Sequence, residues 1–325
     1  MSDPIKHVHS FIDTHKLIVN KSPVIIGLSG GPDSVFLFYV LLQLAQEKKY
    51  TLIAAHLDHE WRTDSARDAE FCHKLASQYG ITCIIKKAHE LGYTPKNTGS
   101  LEDKGRELRR YFFEQCAQEY QAQAIALAHH ADDQQETFFI RLIRGATLTG
   151  LTGMKPHNGQ YIRPLLELHK SEILNHLHTH SIPYCTDPTN EQNTYLRNRI
   201  RGSVLPALRE CDQRFNNNFA KTMSHLQQTE DFLDKLTLTS FKGISEQDDS
   251  FLWLSIKKLQ ALNPIIQQRI ILQWLIQEQV PFSPSMALIQ EILRFFTSQK
   301  SASHSLLSNV QILKKRGKVR IEKDS

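Results

Sequence analysis

The chain has 325 residues, of which 22% are charged and 40% hydrophobic, with 39 Lys and Arg against 34 Asp and Glu for a formal charge of +5. Those fractions are expected of a soluble globular protein of about two domains, and they exclude a disordered, fibrous or membrane-spanning one. No run reaches the ~18 apolar residues of a membrane span, the first fifteen residues lack a secretory core, and the cysteines at 72, 83, 116, 185 and 211 form no C-x-x-C pair, which fits a reducing cytoplasm.

In chain order, the first two thirds alternate short β-branched runs with helical periods. Residues 24–28 (VIIGL) read as a buried strand, followed by a Gly-rich turn and a helix over 33–47. Strands are predicted at 51–57, 81–87, 124–128 and near 161–165, and helices at 64–79, 100–120, 132–144 and 171–180. Four or five such β–α units predict an α/β fold built on a doubly wound parallel sheet, with ligands at the carboxyl ends of the strands. After Pro206 the texture changes to glutamine-rich helices at 215–240, 264–279 and 285–298, with a polar loop over 240–250. The tail reads as a short terminal β-hairpin around a basic turn at Gly317. The expected domains are 1–213 and 214–325. The first carries 24 basic and 24 acidic residues; the second carries 15 and 10, so the whole excess lies in a smaller helical domain with Lys314, Lys315, Arg316, Lys318 and Arg320 near its end. A basic module of that kind suits a polyanion, although a solvated hairpin tip has the same composition.

Three stretches carry chemistry. Ser29-Gly30-Gly31-Pro32-Asp33-Ser34 follows a strand and opens a helix, so backbone N–H groups and two hydroxyls can approach a phosphate; a capped tight turn is the plainer reading. The lysine of a Walker loop is missing, which argues against ordinary γ-phosphate hydrolysis. His56 and Asp58 share one side of the second strand at its carboxyl end, followed by His59 and Arg62; they are metal-ligand types or a polar strand end. His129-His130-Ala131-Asp132-Asp133-Gln134-Gln135-Glu136 follows the fourth strand, where carboxylates can cap the helix, hold Mg²⁺ or receive a substrate amine.

In this order the three motifs resemble the N-type ATP pyrophosphatases, and among them the tRNA(Ile)-lysidine synthases. S-G-G-x-D-S is similar to the pyrophosphate loop, H-x-D-H-x-x-R matches through Arg62, and the family's G-H-H-x-D-D-Q-x-E-T is matched except that its Gly is Ala128. Gly105-Arg106-Glu107-Leu108-Arg109 resembles a family helix that begins with Ala instead of Gly105. Arg163-Pro164-Leu165-Leu166, Asp187-Pro188-Thr189-Asn190 and Arg197-Asn198-Arg199-Ile200-Arg201 match further segments, so the resemblance covers about residues 20–210. Longer family members carry a further small C-terminal domain, which this chain is expected to lack.

The resemblance implies an adenine nucleotide alpha hydrolase-like fold and an ATP-dependent carbon–nitrogen ligase. In the family reaction ATP adenylates O2 of the wobble cytidine of the CAU-anticodon tRNA(Ile), and L-lysine then displaces AMP from carbon 2. On that basis Ser29, Gly30, Gly31, Pro32, Asp33, Ser34, His56 and Asp58 are expected to bind ATP, with Mg²⁺ on Asp33 and Asp133. Asp33, Arg106, Arg109, His129, Asp132, Asp133 and Glu136 are the expected catalytic set. Arg197, Arg199, Arg201, Lys314, Lys315, Arg316 and Lys318 are the expected tRNA contacts. No membrane partner is expected, and a homodimer is an option. The competing classes are a metal-dependent phosphoesterase using the His and Asp residues, a thiolating relative, disfavoured by the lack of a nearby cysteine pair, and a non-enzymatic nucleotide-binding RNA module.

Overall fold

The computed structural model describes residues 3–19, 21–61, 64–96, 99–186, 196–248, 251–281, 285–298, 302–307 and 309–323. They form two compact units that divide between Met223 and Ser224. Arg62, Asp187-Pro188-Thr189-Asn190 and Tyr195 lie outside the described residues.

The first unit runs α1 (Pro4–Thr14), β1 (Val24–Gly27), α2 (Pro32–Lys48), β2 (Leu52–Asp58), α3 (Ser65–Gln78), β3 (Thr82–Lys87), α4 (Leu101–Glu119), β4 (Ala124–Ala126), α5 (Ala131–Ile143), α6 (Leu148–Leu151), β5 (His157–Asn158), β6 (Tyr161–Ile162) and α7 (Lys170–Thr179). It continues through α8 (Leu196–Arg199) and α9 (Leu205–Cys211), with a π-helical turn at Ile200–Val204 between them. Local chemistry sets these boundaries. Pro32 stands in the first turn of α2, where a missing N–H costs nothing, and Lys49 closes that helix in the left-handed region. Ser100 and Asp103 cap α4 reciprocally.

The sheet order is β3-β2-β1-β4-β6-β5, parallel from β3 to β6, with β5 antiparallel at the edge. All seven residues of β2 are buried, as expected of a strand covered on both faces. Alternation sends Val24, Ile26, Leu52 and Ala54 toward α1, α2, α3 and α7, and Ile25, Ile53 and Ala55 toward Phe112, Phe113 and Cys116 of α4. The strand order reverses between β1 and β4. That switch point opens a crevice at their carboxyl ends, where the first and third motifs lie.

The second unit receives α10 (Phe215–Ile244), which starts in the first. It continues with β7 (Ser245–Gln247), β8 (Leu252–Ser255), α11 (Ile256–Gln260), α12 (Pro264–Gln277), α13 (Met286–Thr297), β9 (Ser303–Leu307), β10 (Val310–Lys315) and β11 (Lys318–Lys323). Here the expected lone hairpin is corrected: β10 and β11 are the middle of an antiparallel sheet ordered β7-β8-β11-β10-β9. The stretch expected to be a polar loop supplies β7, a polar edge strand that pairs with Leu252–Leu254. Trp274, Ile270, Ile292 and Ile312 are fully buried in this unit's core. Among the described residues no helix is long and apolar enough to cross a membrane.

Candidate active site

The turn after β1 is ordered by its own hydroxyls. Ser34 Oγ donates to Gly31 O at 2.9 Å, accepts from Ser29 N at 3.1 Å, and lies 3.0 Å from Ser29 Oγ. Gly30 adopts φ +84°, and a Cβ there would meet the sulfurs of Cys185 and Cys72 at 3.3 and 3.4 Å, so both conformation and space call for glycine. The two cysteines are distant in sequence yet converge behind the loop. The sequence-based argument that no cysteine pair lies nearby therefore does not hold in space, although among the described residues no group of three or more His, Cys, Asp or Glu side chains is placed to hold a metal.

Beside the loop lies a cavity of about 240 Å³ lined by Leu28, Ser29, His56, Asp58, Trp61 and Arg109, among others. His56 is buried, and its Nδ1–H donates to Leu28 O at 2.8 Å, since a carbonyl can only accept. Asp58 accepts from Glu60 N at 2.8 Å. His59 stacks on the half-exposed Trp61 at 4.4 Å. A Cβ on residue 105 would lie 2.3 Å from Trp61 Cη2, so the alanine of the family pattern would require the indole to shift. Arg109 approaches His59 Nε2 at 3.5 Å, whereas Arg106 is exposed and only 3.9 Å from Glu102.

The acids at the start of α5, with Asp33 from α2 beside them, are buried or partly buried, and each meets a cation. Lys170 Nζ donates to Asp33 Oδ1 at 2.6 Å. Arg209 Nη2 donates to Asp132 Oδ1 at 2.6 Å, and Lys170 N donates to Asp132 Oδ2 at 2.8 Å. Arg197 Nη2 donates to Asp133 Oδ1 at 3.1 Å. Glu136, with a side chain 1% exposed, accepts from Arg197 Nε at 2.7 Å and from Arg201 Nε at 2.5 Å. His130 lies among three of these acids, its Nε2 at 3.7 Å from Asp33 Oδ2 and 3.6 Å from Asp133 Oδ2. Asp33 and Asp133 each bring an oxygen near His130 Nε2, and Mg²⁺ takes one or two protein carboxylates and completes its octahedron with water and phosphate oxygens. The donor set therefore fits that ion.

Protonation follows from these surroundings. Burial alone would lower the pKa of His130, but Asp132, Asp133 and Asp33 outweigh it and raise the group above its ordinary value. Burial opposes ionisation of Asp132, yet His130, His169 and the Lys170 N–H hold it well below the usual carboxylate range. Asp133 is likewise lowered, against burial, by His130, His129 and Arg197. His129 is pulled down to about 4, mainly by burial, with Asp133 opposing the shift and Arg163, Arg197 and Arg106 adding to it. Its Nδ1 is buried with no hydrogen-bond partner. Burial first, then Arg109 and His56, take His59 to about 4.

The structure thus gathers Ser29, Gly30, Gly31, Pro32, Asp33, Ser34, His129, Asp132, Asp133 and Glu136 at the switch-point crevice, and places His56, Asp58 and Arg109 around the adjoining cavity. Arg197 and Arg201, expected as tRNA contacts, are engaged by the buried carboxylate of Glu136; Arg199 is exposed. In the second unit Lys314 Nζ donates to Phe295 O and Ser298 O at 2.7 and 2.6 Å, satisfying carbonyls at the end of α13, and Lys318 pairs with Glu246. Lys315 and Arg316 remain exposed. Sequence reasoning missed Lys170, His169 and Arg209. The signal for the first two was their place a few residues beyond the Arg163-Pro164-Leu165-Leu166 segment, at the start of a helix.

An anion-binding turn and a carboxylate cluster at the switch point of a parallel sheet define a nucleotide-handling α/β domain. Residues 5–208 match the family model of the PP-loop domain. The tRNA(Ile)-lysidine synthase of Bacillus cereus is 33% identical over 320 residues, covering 95% of this chain and 67% of that protein. The Bacillus subtilis enzyme of the same name is 35% identical over 298 residues, covering 89% and 63%. The chain belongs to the tRNA(Ile)-lysidine synthase family of PP-loop proteins, and it spans about two thirds of the length of those relatives. Among solved structures, the U34-tRNA thiolase NcsA of Methanococcus maripaludis, with its 4Fe-4S cluster, shares the fold at a TM-score of 0.59 and 18% identity, over 69% of this chain and 78% of that one.

Proposed function

We propose that this chain ligates L-lysine to carbon 2 of the wobble cytidine in the CAU-anticodon tRNA(Ile), using ATP and forming lysidine. The observation that carries the reading is the meeting of two opposite chemistries at one crevice: an anion-binding turn after β1 and the buried acids of α5, linked through His130 and Lys170. An enzyme that must hold both a triphosphate and a primary ammonium needs both.

In the first step the cytidine O2 attacks the α-phosphorus and the bond to pyrophosphate breaks. The N–H groups of the turn and of the first turn of α2 stabilise the departing pyrophosphate. Mg²⁺ held by Asp33 and Asp133 would supply neutralising charge to the triphosphate. In the second step the lysine ε-amine attacks carbon 2, and the C2–O bond to AMP breaks. Asp132 and Glu136, the carboxylates left free by the metal, receive the ammonium beforehand. His129, held neutral by its burial, accepts the proton the amine must lose. Arg109, on the wall of the cavity, offsets charge on the adenylate. Exposed Arg199, Lys315 and Arg316 provide phosphate contacts for tRNA in the cytoplasm, where sequence is read from the splayed cytidine.

The test is lysine-dependent AMP release with a tRNA(Ile) transcript. AMP and lysidine should appear in equal amounts, and both should vanish when the wobble cytidine is replaced. AMP release without tRNA, or phosphate release in place of pyrophosphate, would overturn the reading.

A further inference from the structure

The turn that receives the triphosphate in this reading contains no lysine or arginine. Its donors are backbone N–H groups and two hydroxyls, and those hydroxyls are hydrogen-bonded to one another and to the turn itself. A departing pyrophosphate gathers negative charge that neutral donors offset only in part.

A flexible cation reaches the turn from elsewhere in the chain. Lys170 is the first residue of α7 and lies 137 positions after Asp33, yet its ammonium sits 2.6 Å from Asp33 Oδ1, in the first turn of α2. Its root is fixed. The Lys170 N–H is bound to Asp132, and Ile173 and Leu177 of α7 share a fully buried core with α2. Its tip is much less constrained. Arg197, Arg201 and Arg209 are each tied by two or more bonds to Asp132, Asp133, Glu136 and their neighbours, whereas Lys170 meets one carboxylate oxygen with its side chain a third exposed. A four-carbon stem on a fixed root carries a point charge that can be re-aimed over several ångströms.

We propose that Lys170 is the phosphate-binding cation of this site. It rests on Asp33 when no nucleotide is present and transfers to the β- and γ-phosphates when ATP binds, doing from α7 what a Walker lysine does from within its own loop. The same transfer exposes Asp33 to the cation that accompanies ATP. The inference rests on the ATP-binding reading above and adds a named residue to it.

Equilibrium binding of ATP and of AMP to the full chain separates the two ideas, because only ATP carries the phosphates in question. K170M should weaken ATP binding about 10- to 100-fold, the span of one charge-assisted contact, and leave AMP binding within about 2-fold. K170Q, which keeps the length and polarity of the stem but not the charge, should behave the same way and carries the test if the methionine variant does not fold. In the absence of Mg²⁺, D33N should bind ATP at least as tightly as the parent chain, since the ammonium is released, and D33N/K170M should lose that binding. Equal loss of ATP and AMP affinity in either Lys170 variant, or unchanged ATP affinity, would overturn the proposal; so would loss of metal-free ATP binding in D33N. Failure of the parent chain to bind ATP would instead sink the ATP reading itself.

Discussion

Replacing Glu136 with Gln removes the most buried charge of the site. Its carboxylate is 1% exposed and accepts three N–H groups, from Arg197 Nε at 2.7 Å and from Arg201 Nε and Nη2 at 2.5 and 3.1 Å. Deleting one partner of a buried ion pair costs about 3–5 kcal/mol when the remaining charge is stranded. Here the stranding is partial. The Arg201 side chain is 46% exposed and can turn to water, and Arg197, at 20%, keeps Asp133 at 3.1 Å. The expected loss is therefore about 2–3 kcal/mol, which in a unit of some two hundred residues lowers the melting temperature by roughly 4–12 °C. Urea unfolding followed by circular dichroism measures it. E102Q is the control, because Glu102 is 46% exposed at 3.3 Å from Arg197, and it should cost less than about 0.5 kcal/mol. A loss below about 1 kcal/mol in E136Q, with an unchanged denaturant slope, would show that the two guanidiniums are solvated in the native state and would refute the reasoning.

Three other outcomes are expected. His59 and His129 have folded pKa values of about 4 against an ordinary 6.5, so between those limits the unfolded chain binds protons that the folded chain does not. Stability should fall as pH drops through that window, by about 1–3 kcal/mol per histidine, with the loss reduced in H59Q and H129Q; His130, raised, contributes in full below its unfolded value and loses its share as pH rises through its folded one. Neutralising Lys315 and Arg316 together should lower the slope of log affinity against log salt for tRNA by up to about 2 without changing stability, whereas K314Q should cost about 1–2 kcal/mol by uncapping α13. G105A should displace Trp61, because the new methyl carbon would lie 2.3 Å from the indole. Since Trp61 is half-exposed, the readout is a shift in its fluorescence rather than unfolding, and G105A/W61A should abolish the shift.

The parallel sheet was legible because its strands are short and ended by glycines or polar turns, with the central ones buried on both faces: Val24–Gly27, Leu52–Asp58 and the half-exposed edge strand Thr82–Lys87 fall within a residue or so of where the apolar runs predict them. The turn at Ser29–Ser34 and the acids of α5 were legible because each motif is contiguous. What was hidden is pairing over long separations. Lys170 finds Asp33, and Arg209 finds Asp132, across 137 and 77 positions, and nothing local marks either as a partner. Arg197 and Arg201 look like phosphate ligands when read as a basic run, because the acids that engage them lie more than sixty residues earlier. Lys314 has partners hidden in the same way: in sequence it belongs to a basic tip, and in space its ammonium closes a helix. The second sheet was only partly visible, since β7 has three polar residues and too short a run for any periodicity.

The pairing also gives the neutrality of the first 213 residues a physical meaning. With 24 charges of each sign, that segment could hold its ions apart as a solvated surface. Instead Asp33, Asp132, Asp133 and Glu136 are each matched to a lysine or arginine within a few ångströms, and His130 stands between three of them. Without those partners the acids would repel one another, which would spoil them as receptors for a metal or an amine. For Asp132 and Asp133 the surrounding groups hold the carboxyl below its ordinary range against burial, so these two are ionised before substrates arrive. In the proposed reaction the substrates bring the same two signs, an anionic triphosphate and a cationic amino acid. Binding then becomes an exchange of partners: internal cations pass to the phosphates, and the acids they release pass to Mg²⁺ and to lysine. An exchange of that kind leaves the net charge of a low-dielectric site nearly constant, and so avoids the desolvation cost of introducing either substrate alone.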